Sequence, residues 1–159
     1  MSLLDKEPVK RVEKVLRGFD HRMNVLILEE SARTALDAAS SLKCDSGAIV
    51  KSLLFKVESN FVLCLVSGDK RCSLDKLKKI LNIKNIAMAS PEEVKINTGY
   101  TIGGVSPVGH INKIQILIDN SLERFIDLYA AAGHPNCIFK INFKNLQKIT
   151  SGTVKNLIE

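Results

Sequence analysis

The segment best suited to chemistry is a loop rich in glycine and hydroxyl residues at positions 97–109. Four of its last eleven residues are glycine, which lets the backbone approach a ligand closely. Gly103 and Gly104 are adjacent, so their N–H groups could together hold an oxyanion or a carbonyl oxygen. Ser106 is either a ligand contact or a cap of the loop, and Pro107 stiffens the segment after it. Long loops in compact domains are usually functional, so we expect a binding or catalytic role.

Two further residues have side chains suited to a site. Lys51 is the only charged residue in the apolar run 48–55, so it either extends to solvent or binds an anion or a carbonyl group. His134, between Gly133 and Pro135, is a general base, a hydrogen-bond donor or an exposed turn residue. The sequence has no Gly-x-Ser-x-Gly elbow, dinucleotide fingerprint or P-loop, so none of these chemistries is indicated.

The composition is that of a globular domain with a mild basic excess. The 159 residues are 45 % apolar and 25 % charged, which argues against disorder and low complexity. The net charge of +6 permits a polyanionic partner such as nucleic acid without requiring one. The apolar runs are far shorter than a membrane helix, and the N-terminus lacks a signal-peptide core, so we expect a cytoplasmic location. The basic turn 67–71 either holds a phosphate or is a solvated connection, and the absence of a P-loop pattern favours the solvated connection.

The four cysteines are expected to be reduced thiols. None forms a CxxC pair or lies near a histidine at zinc-finger spacing, so no metal site is expected. Cys64 and Cys137 fall within apolar runs typical of strands, where cysteine behaves as a small hydrophobic residue.

Helical and strand-like patterns alternate along the chain, which predicts one α/β domain with a mixed sheet. Helices are predicted at 8–18, 34–42, 73–81, from 90 onward, at 122–132 and at 145–149. Strands are predicted at 23–28, 48–57, 60–66, 86–89, 114–118 and 137–143. Thr34 is the expected N-cap of the second helix, and Gly133 is expected to end the helix 122–132. The hairpin-like connection at 58–60 argues against a purely parallel sheet.

Seven short motifs follow one another in order along the chain. They are A-I-V-K-S-L-L-F (48–55), S-G-D-K-R (67–71), A-S-P-E-E-V (89–94), T-G-Y (98–100), G-G-V-S-P-V-G (103–109), I-D (118–119) and A-A-G-H-P (131–135). As a set they resemble the YbaK/ProX family of aminoacyl-tRNA deacylases, related to the editing domain inserted in bacterial prolyl-tRNA synthetase. The resemblance covers about residues 24–157. It implies a single domain over 1–159, with a mixed, curved, partly barrel-like sheet flanked by helices.

The resemblance implies an enzyme that hydrolyses the ester between a non-cognate amino acid and tRNA, typically tRNA for proline. The implied partners are the 3′-terminal adenosine end of aminoacyl-tRNA and prolyl-tRNA synthetase, and no metal or organic cofactor is implied. A free-standing trans-editing deacylase is therefore the expected function. The alternatives are a non-catalytic module that binds tRNA ends or a synthetase, and a hydrolase or transferase acting on small molecules.

The resemblance also implies roles for particular residues. Lys51 would contact the 3′-terminal nucleotide, and Gly103 would position the aminoacyl group through backbone atoms; these two are the candidate catalytic residues. The candidate substrate-binding residues are Thr34, Ser52, Gly104, Ser106, Pro107, Gly133, His134 and Pro135. Some members specific for alanyl-tRNA carry Asn at the position of Ser52. The amino acid removed is therefore open among Cys, Ala, Ser, Thr and small non-protein amino acids.

Overall fold

The computed structural model describes residues 2–159, which form five α-helices and eight β-strands. The helices are α1 (Glu7–Phe19), α2 (Ala35–Leu42), α3 (Leu74–Leu81), α4 (Pro91–Thr98) and α5 (Phe143–Thr150). The strands are β1 (Leu26–Ile27), β2 (Ile49–Val57), β3 (Asn60–Ser67), β4 (Ile86–Met88), β5 (Gln115–Asp119), β6 (Leu128–His134), β7 (Cys137–Ile141) and β8 (Thr153–Lys155). Every helix in this part of the chain is too short or too polar to cross a lipid bilayer.

Side-chain caps fix where the helices begin. Thr34 caps α2 by accepting a hydrogen bond from the N–H of Asp37 at 3.1 Å, as the sequence predicts. Ser90 and Glu93 form a reciprocal capping box at the start of α4, which confirms the predicted helix start. A cap of this kind stabilises a helix by about 1 kcal/mol. The first residues of α2 and α4 are therefore set by side chains next to them in the sequence.

All eight strands belong to one mixed sheet. Its order is β1-β7-β6-β2-β3-β5-β8, and β4 pairs with part of β2. The hairpin partners β2 and β3 are antiparallel, whereas β6 is parallel to β2 and β5 is parallel to β3. The predicted mixed α/β class is therefore confirmed. Within residues 2–159 the two end strands, β1 and β8, do not pair with each other, so the sheet is open and is not a closed barrel.

Apolar side chains are buried on both faces of the sheet. Successive residues of β3 alternate between the faces: Leu63 belongs to the larger core and Cys64 to the smaller one. The larger core includes Leu16 of α1 and the smaller one Leu77 of α3, and both side chains are fully buried. The cores are largely aliphatic, as the low aromatic content indicates. All four cysteines are free thiols, which confirms that prediction.

The predicted helix at 122–132 is wrong. Residues Asn120–Arg124 form a short 3-10 helix, and the chain then enters β6. The buried residues of β6 are the alternate ones, Leu128, Ala130 and Ala132. Because β6 pairs with β2 on one side and β7 on the other, strand pairing overrides the helix propensity of its alanines.

Close packing against α1 explains the glycine of β6. A Cβ added to Gly133 would lie 2.8 Å from the carbonyl carbon of Pro8, nearer than real Cβ atoms come. Gly133 also has φ of +90°, which disfavours any residue with a side chain. Gly133 is therefore not the predicted helix C-cap but a strand residue over which the N-terminal helix can pass.

Other elements also differ from the sequence prediction, including the strand predicted at 137–143, which ends at Ile141. The strand predicted at 23–28 is only two residues long, Leu26–Ile27, and pairs with β7. The helix predicted at 145–149 extends over Phe143–Thr150. Strand β8 was not predicted, because its three residues carry no apolar run and it is defined by its parallel pairing with β5.

Candidate active site

The sheet has a gap along one side of β2. Strand β3 pairs with β2 over most of its length, but on the other side β6 pairs only with the first two residues of β2, and β4 pairs only with the last three. The Ala89 N–H donates to the Leu54 carbonyl at 3.0 Å, so the gap spans residues 51–53. A cavity of about 350 Å³ opens at this gap, within the range of small-ligand sites.

Distant parts of the chain line this cavity. The lining includes six of the ten candidate residues, namely Thr34, Lys51, Ser52, Gly103, His134 and Pro135. Apolar side chains form most of the remaining wall. The four other candidates do not line the cavity; they are Gly104, Ser106, Pro107 and Gly133.

Ser52 lies in the middle of the gap. Along a strand, successive residues direct their backbone polar groups to opposite sides. The Leu54 carbonyl is bonded on the gap side, so the N–H and C=O of Ser52 point to the same side. The Ser52 hydroxyl is buried and has no hydrogen-bond partner within residues 2–159. An unpartnered buried hydroxyl is costly, and the backbone groups of this residue face the same gap, so Ser52 is a candidate ligand contact.

Lys51 is held at the rim of the cavity by a neighbouring turn. Its ammonium group donates to the carbonyl oxygen of Lys70 at 2.5 Å. Burial lowers the pKa of Lys51 below its usual value, and the nearby carboxylate of Asp69 partly opposes that shift. Lys51 is therefore a partly desolvated cation with a fixed direction, which suits binding of an anionic or carbonyl oxygen.

A small polar network fixes the turn that holds Lys51. The guanidinium group of Arg124 donates to Asp69 at 2.8 Å and to the hydroxyl oxygen of Ser67 at 2.9 Å. Ser67 is fully buried, and its hydroxyl donates to the carbonyl oxygen of Gly47. The Arg124 guanidinium also keeps the pKa of Asp69 below its usual value, so the pair stays charged. The turn 67–71 is thus an ordered support and not only a solvated connection.

The glycine-rich loop brings the backbone of Gly103 to the cavity. Gly103 lines the cavity with φ of +93°, and its N–H makes no hydrogen bond within residues 2–159. The N–H of Gly104 donates to the Thr101 carbonyl at 3.0 Å, and its own carbonyl accepts from the Gly133 N–H at 3.0 Å. The two adjacent N–H groups therefore do not form the joint cradle considered from the sequence. Gly104 instead ties the loop to β6.

Ser106 and Pro107 are buried residues of the glycine-rich loop. The Ser106 hydroxyl oxygen accepts from the N–H of Val108 at 3.3 Å, so this side chain acts as a cap within the loop. The buried Tyr100 donates from its hydroxyl to the Val108 carbonyl at 2.7 Å. Burial raises the pKa of Tyr100 to about 12, so it remains a donor at physiological pH. Arg11 of α1 adds a bond to the Gly109 carbonyl, and the base of the loop is fixed.

His134 and Pro135 close the opposite wall. The Nδ1 atom of His134 accepts from the N–H of Asn136 at 3.0 Å, so the neutral ring carries its proton on Nε2. Partial burial and the charge of Lys6 lower the pKa of His134 below its usual value. The Pro135 carbonyl accepts from the Ala32 N–H at 2.6 Å, which joins this wall to the segment before α2. His134 is thus a neutral donor available to a ligand.

Sequence reasoning missed several lining residues. Arg33 lies beside the Thr34 cap with its aliphatic stem against Gly103, and it forms no ion pair within residues 2–159. A cation next to a helix N-terminus opposes the helix dipole, and this signal could have identified it. Tyr129 also lines the cavity, and it was missed because its segment was predicted to be a helix. Met88 lines the cavity although it is largely exposed, and nothing in the sequence marks it.

Comparison with known proteins identifies the family. The sequence model of the aminoacyl-tRNA editing domain matches residues 29–149. A proline–tRNA ligase of Kosmotoga olearia is 36 % identical over 123 residues, which are 77 % of this chain and 20 % of the ligase. The chain therefore spans about a fifth of the length of the proline–tRNA ligases it matches. The protein YwhH of Bacillus subtilis is 30 % identical over 92 % of this chain and 93 % of its own length.

The structural comparison agrees. A crystal structure described as a candidate trans-editing enzyme for prolyl-tRNA synthetase superposes with a TM-score of 0.91 at 35 % identity, covering 97 % of this chain and 98 % of that one. The family model, the ligases and this structure all agree with the resemblance inferred from the motifs. The chain belongs to the aminoacyl-tRNA editing domain family and is similar to the editing region of proline–tRNA ligases.

Proposed function

We propose that this protein is a trans-editing hydrolase that removes small non-cognate amino acids from tRNA for proline. Two relatives support action in trans, because YwhH and the superposed structure match this chain over almost their whole lengths. The observation that carries the proposal is the gap beside β2. Lys51, Ser52 and Gly103 converge there on one cavity in a chain of the editing family.

In the proposed complex the 3′-terminal nucleotide lies at the rim and the aminoacyl group enters the cavity. The Lys51 ammonium group binds a phosphate or ribose oxygen of that nucleotide, as the family resemblance implies. The N–H of Gly103 binds the ester carbonyl oxygen, and the polar groups of Ser52 bind the amino-acid portion. The Nε2–H of His134 is a further donor on the opposite wall.

The proposed reaction needs positioning more than acid–base power, because an aminoacyl ester is already activated. Water adds to the ester carbonyl carbon, and the bond between that carbon and the ribose oxygen then breaks. The ribose oxygen takes up the proton that the water loses, which leaves a free amino acid and intact tRNA. A fixed N–H donor lowers the barrier because it stabilises the oxyanion formed during attack. The family resemblance implies that the neighbouring ribose hydroxyl assists the water.

The apolar lining of the cavity supports a ligand whose side chain is compact and largely apolar. The wall near α2 consists of Ala35 and Ala38, while Val105 and Ile102 of the loop face the same space. A pocket of this kind separates side chains that differ by one methylene by about 1–3 kcal/mol.

A deacylation panel tests the proposal. We would charge tRNA for proline with Pro, Ala, Cys, Ser or Thr and follow loss of the ester with wild type and Lys51→Ala. The expected result is cleavage of one or two small non-cognate esters, sparing of the prolyl ester, and at least a roughly tenfold loss in Lys51→Ala, since a charged hydrogen bond is removed. Lys140→Ala is the matched control, because Lys140 is an exposed strand lysine that lines no described cavity.

The main alternative is a non-catalytic module that binds tRNA ends or a synthetase. Tight binding of tRNA with no ester loss across the panel, unaffected by Lys51→Ala, would replace the hydrolase proposal with this one. Equal cleavage of free amino-acid esters and tRNA esters would instead indicate a small-molecule hydrolase.

A further inference from the structure

The excess positive charge is concentrated in one segment. Residues 70–84 contain six basic side chains and one acidic side chain, whereas the whole chain has a net charge of +6. The segment begins at the turn that holds Lys51, runs through α3 and ends before β4. The rest of the chain is therefore nearly neutral, so most of the excess charge lies in a segment that begins beside Lys51.

A second concavity lies at the end of this segment. Its volume is about 250 Å³, and three lysines line it: Lys56 of β2, Lys78 of α3 and Lys84 in the connection to β4. One carboxylate, that of Glu58, lies among them. Nothing in the proposed hydrolysis uses these lysines.

Two of the three lysines are free to bind an external anion. Lys56 forms an ion pair with Glu93 at 3.3 Å. The Glu58 carboxylate accepts from the backbone N–H of Lys84 at 3.4 Å. The ammonium groups of Lys78 and Lys84 form no ion pair within residues 2–159. The concavity therefore keeps a positive charge after the single Glu58 carboxylate is counted.

The second concavity lies next to the first along strands β2 and β4. Strand β4 lines both: its first two residues face the lysines, and Met88 faces the candidate active site. Along β2, Leu54 lines the candidate active site and Lys56 lines the second concavity. At about 3.3 Å per strand residue, Lys56 lies roughly 13 Å from Ser52, a span of a few nucleotides along one RNA strand.

We propose that the lysine-lined concavity binds the sugar–phosphate backbone of the acceptor strand of tRNA, a few nucleotides before the aminoacylated end. This inference rests on the proposed function, because the aminoacyl end must occupy the first cavity for the strand to continue into the second. No aromatic side chain of residues 2–159 lines the concavity, and lysines bind phosphate as point charges and do not read bases, so the contact adds affinity without sequence preference.

Binding of uncharged tRNA tests the inference independently of catalysis. The variant is Lys78→Ala/Lys84→Ala, and the control is Lys144→Ala/Lys148→Ala, which removes the same charge from exposed positions on α5 that line neither cavity. At low salt we expect about tenfold weaker binding for the first pair and less than about a twofold change for the control. The slope of log K against log salt should fall by about 1.5 for two lost phosphate contacts. Lys78→Arg/Lys84→Arg should retain binding.

A second assay compares mischarged tRNA with 3′-alanyl-adenosine, which has no upstream phosphates. Lys78→Ala/Lys84→Ala should raise KM for the tRNA about tenfold, leave its kcat unchanged and leave cleavage of the small ester unchanged. Binding equal to that of the control pair, or equal losses on both substrates, would overturn the inference. If wild type binds tRNA through these lysines but cleaves neither ester, the hydrolase proposal fails and the backbone site stands.

Discussion

Ser52 presents a buried hydroxyl that finds no partner among residues 2–159. Proteins rarely retain such a group without a use, because its lost hydration is not replaced. We predict that Ser52→Ala raises the free energy of unfolding by about 1 kcal/mol and lowers deacylation by at least about tenfold. Thermal or denaturant unfolding and ester cleavage measured on the same preparation check both effects.

Ser67→Ala is the matched control for this prediction. Ser67 is also a buried serine beside the site, but its hydroxyl bonds Gly47 and accepts from Arg124. Its removal should therefore lower stability. A loss of stability in Ser52→Ala as well would show that the Ser52 hydroxyl is satisfied within the fold.

Because of Lys51, the rate of deacylation should fall at alkaline pH. Burial lowers the pKa of Lys51 below its usual 10.5, and only the protonated form binds the nucleotide as proposed. Activity should therefore fall as pH rises through this lowered pKa, and Lys51→Arg, which stays charged, should abolish the fall. The measurement is kcat/KM from about pH 6 to about pH 10, corrected for spontaneous ester hydrolysis.

The free energy of unfolding should depend on the same titration of Lys51, but it should rise with pH where the activity falls. Because the folded protein releases this proton at lower pH than the unfolded chain, the unfolded state binds more protons between the two pKa values. The contribution of Lys51 to the free energy of unfolding should therefore rise with pH in that interval. If deacylation by Lys51→Arg still falls at alkaline pH, the titrating group is not Lys51.

At the scale of elements, the site depends on how the glycine-rich loop meets β6. A Cβ on Gly104 would lie 2.8 Å from the backbone nitrogen of His134, and backbone atoms cannot move aside as a side chain can. We predict that Gly104→Ala lowers the free energy of unfolding by about 1–3 kcal/mol and reduces deacylation, because the loop must leave the strand. Calorimetry and the ester assay measure the two effects.

Gly18 provides the control for this substitution. It lies in α1, and a Cβ there would meet no atom within 4 Å. Gly18→Ala should stabilise the protein by roughly 0.5–1 kcal/mol through backbone entropy and leave activity unchanged. Equal effects of the two substitutions would contradict the close contact between loop and strand.

At the scale of the whole molecule, Asp119 joins the last residues to the sheet. Its fully buried carboxylate accepts from the N–H of Leu157 at 2.7 Å and from that of Ser121 at 3.0 Å. Asp119→Ala would leave these buried donors unpaired, so we predict a loss of about 3 kcal/mol and a decrease of Tm by about 6 to 12 °C. Asp127→Ala, at an exposed carboxylate, should change stability by less than about 0.5 kcal/mol. Similar Tm values for the two variants would contradict this.

Local signals in the sequence predicted much of the fold. The caps at Thr34 and Ser90, the hairpin at 58–60 and the free thiols are all observed. The helix predicted at 122–132 failed because its alanines allow either helix or strand, and only pairing with β2 and β7 selects the strand. Propensity acts over a few residues, whereas strand pairing acts across the whole chain.

The sequence by itself determined the α/β class, the family motifs and the candidate residues Lys51, Ser52 and Gly103. The tertiary structure decided which candidates meet, because the gap beside β2 exists only where β6 and β4 end against the same strand. It also decided that Gly104 and Ser106 act within the loop, since their polar groups are bonded there. These outcomes depend on contacts between residues far apart in the chain, and such contacts leave no periodic signal in the sequence.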